Sequence, residues 1–264
     1  MKNINLVLLL TIFLCACKES KMEHILIPRA LQTGESFNEF PKSKVEIFNF
    51  AVVKPNANEL LSEYQITFKD TVLIVDKQPK PQVTKFLNPT YLNSQKTAIV
   101  AQVADGTGLV SPFYIFCYKN NKLEAVALNK TSNGKNDAKV TKGLEKLSRA
   151  SILIDNDYLL TTVNGKVFPI KRQEPNERIQ GKIFMVSRDA STLIFLTANS
   201  LYQVNYLSNE SFNLPLDSKM LNDESQLYNK VQQNYSWFKN ANGTLFLKGN
   251  LDDNRIVDIK EFKK

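Results

Sequence analysis

From Lys44 to the carboxyl end, short apolar runs rich in β-branched and aromatic residues alternate with polar turn clusters. This pattern predicts strands rather than long helices. The clearest unit runs Ile183–Ser187, a turn at Arg188–Ser191, Thr192–Thr197, a turn at Ala198–Ser200, and Leu201–Leu207. A second unit runs Ile152–Ile154, the turn Asp155-Asn156-Asp157, Tyr158–Val163, Asn164-Gly165 and Lys166–Lys171. The Asn-Gly pair predicts a two-residue type I′ hairpin, because both residues accept positive φ. A third unit comprises Tyr235–Lys239, a turn with Asn242-Gly243, Thr244–Lys248 and Arg255–Phe262. Two less regular units precede these: Tyr64–Phe68, Thr71–Asp76 and Gln82–Leu87, then Lys96–Val103, Leu109–Tyr118 and Leu123–Leu128. Two polar insertions have helical periodicity. Asp137–Arg149 carries Val140, Leu144 and Leu147, and Asp217–Gln233 carries Met220, Leu221, Leu227, Tyr228 and Val231.

The units have middle strands at Val72, Ile115, Leu159, Leu193 and Leu245. Their intervals average near the roughly 40–50 residues of propeller blades. The stretch Phe184–Asp189, through Leu193 to Leu201-Tyr202-Gln203-Val204, resembles a generic propeller blade. The fold expected is mostly β, built of repeated antiparallel meanders, β-propeller-like with about five to six blades and short helical insertions. The alternative is a β-sandwich.

The amino terminus follows a different pattern. Lys2 precedes an apolar run at Leu6–Leu14, the length of a signal-peptide core and far short of the roughly 20 residues that cross a bilayer. The run ends in Leu14-Cys15-Ala16-Cys17, which resembles the lipobox of bacterial lipoproteins. The resemblance implies cleavage before Cys17 and acylation of that residue, with the membrane as one partner through the lipid. Lys18, where an inner-membrane retention signal has Asp, implies the periplasmic face of the outer membrane over the inner membrane. The expected organisation is a cleaved signal peptide at 1–16, a lipid-anchored tether and loosely packed lead-in at 17–43, and a single β-rich domain at 44–264.

Composition adds constraints. The formal net charge of +8 falls by one when Lys2 leaves, and the positives are scattered without a basic run. A solvated basic surface is the reading favoured, and the envelope address argues against nucleic acid. One His and three Cys exclude a His-rich or multi-Cys metal site. With Cys17 acylated and Cys15 removed, Cys117 is the remaining thiol, so folding proceeds without an intrachain disulfide. Its neighbours Phe113–Tyr118 suggest a buried, inert group.

The chain holds no Gly-x-Ser-x-Gly, phosphate-binding loop or dinucleotide fingerprint. The only His, His24, falls in the lead-in, a poor place for a preorganised triad. The Ser-x-x-Lys pairs Ser132/Lys135 and Ser236/Lys239 are expected by chance in a chain so rich in both residues. Asp155 and Asp157, and the carboxylates Asp252, Asp253 and Asp258, are better explained by turn structure than by Ca²⁺. No catalytic, cofactor-binding or metal residue is assigned. Trp237 and Phe238 are candidate partner contacts. The function expected is non-enzymatic: a lipid-anchored envelope protein that binds another envelope protein as scaffold, assembly factor or adaptor. Alternatives are an immunity lipoprotein neutralising a periplasm-directed toxin, and a periplasmic enzyme acting on glycan or lipid.

Overall fold

Apolar residues at consecutive positions demand sheets that are covered on both sides, and the chain builds several. The computed structural model describes residues 22–38, 47–57, 61–76, 82–106 and 108–250. The first sheet has ten strands: β1 (Glu23–Leu26), β2 (Arg29–Ala30), β3 (Phe48–Lys54), β4 (Glu63–Phe68), β5 (Thr71–Asp76), β6 (Gln82–Val83), β7 (Phe86–Tyr91), β8 (Ala98–Val103), β9 (Phe113–Lys119) and β10 (Lys122–Leu128). After the short α1 (Asp137–Val140), the second sheet is a four-stranded antiparallel meander, β11 (Leu144–Lys146), β12 (Ser151–Ile154), β13 (Tyr158–Thr161) and β14 (Lys166–Pro169). The third repeats the plan with β15 (Gly181–Val186), β16 (Thr192–Thr197), β17 (Ser200–Asn205) and β18 (Glu210–Pro215). Helices α2 (Ser218–Leu221) and α3 (Glu224–Asn234) lead to a final pair, β19 (Tyr235–Lys239) and β20 (Leu245–Gly249). The chain is therefore mostly β, with a first sheet curled into a half-barrel.

Side chains alternate across a strand, and here both directions lead into a core. Along β8, Ile99, Ala101 and Val103 enter the half-barrel interior, while Ala98 and Val100 face the second sheet. In the second sheet, Ile152, Ile154, Tyr158 and Leu160 return that contact, and Leu153 and Leu159 face the third sheet. There Leu193, Phe195, Tyr202 and Val204 complete the layer, while Ile194 and Leu201 pack against Leu227 and Val231 of α3 and Leu247 of β20. The Gln203 side chain, fully buried, bonds both polar groups of the Leu247 peptide (Nε2 to O 2.8 Å, N to Oε1 2.7 Å) and so joins the last pair to the third sheet.

The expected loosely packed lead-in is instead part of the half-barrel. Its strand β1 pairs parallel with β5, from Glu23↔Val72 to Leu26↔Val75, and β2 pairs parallel with β10 at Arg29↔Val126. One short segment thus fastens two distant strands. Leu26 and Phe37 are buried, and Arg29 bridges Glu124 (2.7 Å) and the buried Glu35 (2.5 Å). Polar composition hid these strands, because few of their residues face a core.

The expected helix at 137–149 stops at Val140, and β11 follows. Thr141 is already extended (φ −116°, ψ 155°) and Gly143 left-handed (φ +70°), and Leu144 and Leu147 then point to opposite cores. A three-residue spacing that suits one helix face also suits the two faces of a strand buried on both sides. The helix expected at 217–233 is present but split, because Asp217 and Asp223 each cap a separate helix, accepting from Lys219 N and Gln226 N. Gln82–Leu87 holds two strands rather than one, and β3, β11 and β18 were not expected. The strand expected at Arg255–Phe262 lies outside the described residues.

The hairpin at Asn164-Gly165 also differs. Thr161 pairs with Lys166, so the loop has four residues, and Gly165 (φ +57°) is the one residue in it at positive φ. A two-residue type I′ turn is therefore excluded. Gly165 has a second duty, since its carbonyl accepts from Phe37 N at 2.7 Å and a Cβ there would lie 2.6 Å from Asn38 N. Gly34 is also left-handed (φ +73°) but has open space around it. Gly34→Ala should therefore cost about 1–2 kcal/mol, from backbone strain alone. Gly165→Ala should cost more, on the order of 2–4 kcal/mol, because it also pushes the lead-in away. Chemical denaturation checks this, and equal midpoints for the two variants would refute the docking role.

Candidate functional site

The turn between β12 and β13 is Asp155-Asn156-Asp157, and all three residues are buried. Asp155 and Asn156 adopt φ +52° and +58°, a conformation that these two residue types tolerate better than most. Main-chain segments on either side of the second sheet close over the turn, one around 130–142 and one around 170–181. Asn156 Nδ2 donates to Gly181 O (2.8 Å), Ile179 O (3.3 Å) and Val140 O (3.4 Å), which ties both segments to one amide.

Two arginines from the second segment meet the carboxylates. Arg172 grips Asp157 with both edges, Nε to Oδ1 at 2.7 Å and Nη2 to Oδ2 at 2.8 Å. Its other N–H groups reach Thr131 O, Pro175 O and Lys130 O, so the whole guanidinium is satisfied. Arg178 is shared. Its Nη2 lies 3.1 Å from Asp155 Oδ2, while Nε lies 3.6 Å from Asp157 and 4.0 Å from Asp137. Gln180 Nε2 supports Asp137 at 2.8 Å. Arg178 Nε and Asp155 Oδ1 are left without a hydrogen-bond partner. Desolvation, reinforced by Asp157 and Asp137 and only partly opposed by Arg178, pushes Asp155 up to about 7. Lys130 donates to Ile170 O (2.8 Å) and lies 5.9 Å from the Tyr158 ring centroid; burial lowers its pKa and raises that of Tyr158 to about 12.

This arrangement holds two loops against a sheet, and its carboxylates face arginine guanidinium groups. Among the described residues, no group of three or more His, Cys, Asp or Glu is placed to hold a metal ion. Two nearby clefts are small. One of about 260 Å³ is lined by Leu31, Thr33, Asn129 and Tyr158, and one of about 200 Å³ by Leu147, Ser151, Leu159 and Leu193. Both fall below the roughly 300 Å³ at which small-molecule sites begin. In the second, Ser187 Oγ already serves Asp189 Oδ1 (2.6 Å) and Thr192 N (2.9 Å).

The other residues singled out by sequence are scattered. Cys17, Asp252, Asp253 and Asp258 lie outside the described residues. Trp237 is half-buried against the core of the third sheet, and Phe238 is half-buried opposite Phe246 with Lys248 Nζ 5.9 Å from its ring. Ser132 accepts from Arg178 N, Ser236 donates to Asn250, and His24 is exposed on β1. Cys117 is buried, which pushes its thiol up to about 12. Sequence reasoning found the acidic turn but missed Arg172 and Arg178, which sit in an irregular loop without periodicity. It also missed β3, whose outer half is exposed at every position. No protein-family model matches the chain, no curated protein is detectably similar to it, and no solved structure matches its fold.

The acidic turn makes two testable statements. Arg172→Ala removes both guanidinium hydrogen bonds from the buried Asp157, leaving it only the 3.6 Å contact with Arg178 Nε, and should cost about 3–5 kcal/mol in chemical denaturation. For Asp155, the folded value near 7 stands above the ordinary 3.8, so the folded state holds a proton that the unfolded chain releases. Its contribution to stability is present at low pH and is lost as pH rises through about 7. Asp155→Asn stays neutral and should gain on the wild type between pH 5 and pH 8. A wild-type-to-variant difference that is flat across this range would mean that Asp155 is ionised throughout.

Proposed function

We propose that the chain is a lipid-anchored cell-envelope protein that works by binding another protein. The observation that carries this reading is the free edge of β3. Among the described residues, β3 has no strand partner but β4; its start is held where Phe48 N donates to Lys96 O (2.9 Å), but Ala51, Val52, Val53 and Lys54 are exposed in succession. Successive exposure means that both faces of β3 are in solvent here, while β4 beside it stays in the sheet through the pair Tyr64↔Phe86. Val52 (50% exposed), Val53 (46%) and Leu61 (56%) make it apolar. An uncovered edge of this kind is a template for an added strand. The register shift between Val52 and Lys54 twists the edge and restricts what can pair there.

The anchor rests on Leu14-Cys15-Ala16-Cys17, and the Lys18 that follows supports the outer membrane. No helix of the described residues is long and apolar enough to cross a membrane. A propeller-like organisation is supported by the two four-stranded meanders β11–β14 and β15–β18, packed face to face through a shared core. The union of β3 to β10 in one curled sheet departs from that plan, and a sandwich also accounts for stacked sheets.

A photo-crosslinking residue at Val53 of the lipidated protein should capture one discrete protein in cells. A proline at Val52 should abolish the adduct, since it removes a donor from the edge. An adduct with a delivered toxin would make the chain an immunity protein. Absence of any adduct at Val53 would refute binding through this edge. Cys17→Ala should abolish incorporation of a palmitate analogue; undiminished labelling would refute the anchor.

A further inference from the structure

Apolar side chains also stand exposed where the described chain begins. Met22, Ile25 and Ile27 are 74%, 51% and 75% exposed. They are not on a swinging arm, because β1 holds four register pairs to β5 and Val72 N donates to Met22 O at 2.9 Å. Ile25 and Ile27 flank the buried Leu26 and so share the outer face of the strand with Glu23, while Met22, on the side of Leu26 by alternation, is exposed at the start of the strand.

Covalent reach limits where this strand can be. Five peptide steps separate Cys17 from Met22. At 3.3–3.6 Å per residue they extend to about 18 Å at most. A sulfur acylated into the bilayer therefore keeps Met22 within about the depth of a headgroup layer and one strand width. The sequence up to that point alternates in sign, with Lys18, Glu19, Lys21 and Glu23, so electrostatic attraction to anionic lipid is weak. Beside the exposed Glu23 and His24, the side chains of this stretch left to interact with the surface, Met22, Ile25 and Ile27, are apolar. From the exposed side chains, the rigid strand and the short leash we infer that β1 lies along the bilayer, with Ile25 and Ile27 among the lipid headgroups and Met22 beside them where the strand begins. This second contact fixes which side of the domain faces away. The inference rests on acylation of Cys17; without it nothing holds β1 near lipid.

The test uses the full lipidated protein in vesicles of phosphatidylethanolamine and phosphatidylglycerol. Ile27→Cys and, in a separate protein, Leu207→Cys carry an environment-sensitive fluorophore. Leu207 is 63% exposed and follows β17 in the third sheet. Cys117 is buried and does not compete for the label. The Ile27 probe should be blue-shifted and several-fold less accessible to aqueous iodide than the Leu207 probe, and raised salt should not change this. Adding Met22→Asp and Ile25→Asp should return the Ile27 probe to aqueous values while the protein still floats with the vesicles. Flotation with equal iodide access at the two sites would overturn the inference and leave the anchor standing. Failure of the parent protein to float would overturn the anchor and the inference with it.

Discussion

Burial of both faces of the central sheets is the constraint on which the rest of the structure depends. An antiparallel sheet commonly packs one face and hydrates the other. In this chain β8, β9, β12, β13, β16 and β17 each send alternate residues into two different cores. Every position along them must then be apolar or internally bonded. Consecutive buried residues at Ala98–Val103, Phe113–Cys117 and Ile152–Leu160 are the result. The exceptions carry partners. Gln203 bonds the Leu247 peptide, Gln102 donates to Gly108 O and Ser111 O, and Asn156 serves three carbonyls. Within the stack, a polar side chain survives by replacing a strand neighbour.

The acidic turn shows the same rule under charge. Three carboxylates, Asp137, Asp155 and Asp157, share two arginines, and the division is unequal. Arg172 commits fully to Asp157, so Arg178 is left to serve the other two and Asp157 as well. Arg178 brings one N–H within hydrogen-bond distance of Asp155 and leaves its Nε too far from Asp157 and Asp137 to bond either. Asp155 receives the one close contact, yet its other oxygen is buried without a hydrogen bond. Its preference for a proton is therefore a property of the loop arrangement, not of the turn alone. The cluster secures the crossover from the second sheet to the third, since Arg178 and Asn156 both address the segment that leads into β15.

Double burial also explains what was legible in the sequence. Inner strands are continuous apolar runs, and the ends expected for Thr71–Asp76 and Thr192–Thr197 match those of β5 and β16. Edge strands have no such run. β11 shows Leu-Glu-Lys, β18 shows Glu-Ser-Phe-Asn-Leu-Pro, and β1 and β2 contribute one buried residue in six, so composition made them loops. Leu144 and Leu147 misled because period three fits a helix face and a doubly buried strand alike. The acidic turn was visible as Asx chemistry, but its arginines lie 15 and 23 residues from the aspartates they bind. Only the closing of the 170–181 loop brings them together. The two surfaces argued to meet partners were the least legible, because an exposed valine or isoleucine in a strand looks the same in sequence as a buried one.

The position of the lead-in gives these surfaces a physical connection. Segment 23–30 pairs with β5 at one end and β10 at the other, and continues through Phe37 to the Gly165 carbonyl of the second sheet. Arg29 and the buried Glu35 lock its middle. A load applied at Met22, as the proposed anchor would apply, therefore enters the half-barrel along strand pairs, not through a frayed terminus. Releasing the segment would uncover Leu26 and Phe37 and leave Glu124 without its charge partner Arg29, three losses taken together. Such a coupled set opens cooperatively or not at all. The β3 edge, whose strand is joined to β5 only through β4, is thereby held on the same rigid frame as the residues nearest the proposed lipid. Orientation of the domain at the surface and presentation of its free edge then follow from one ordered sheet.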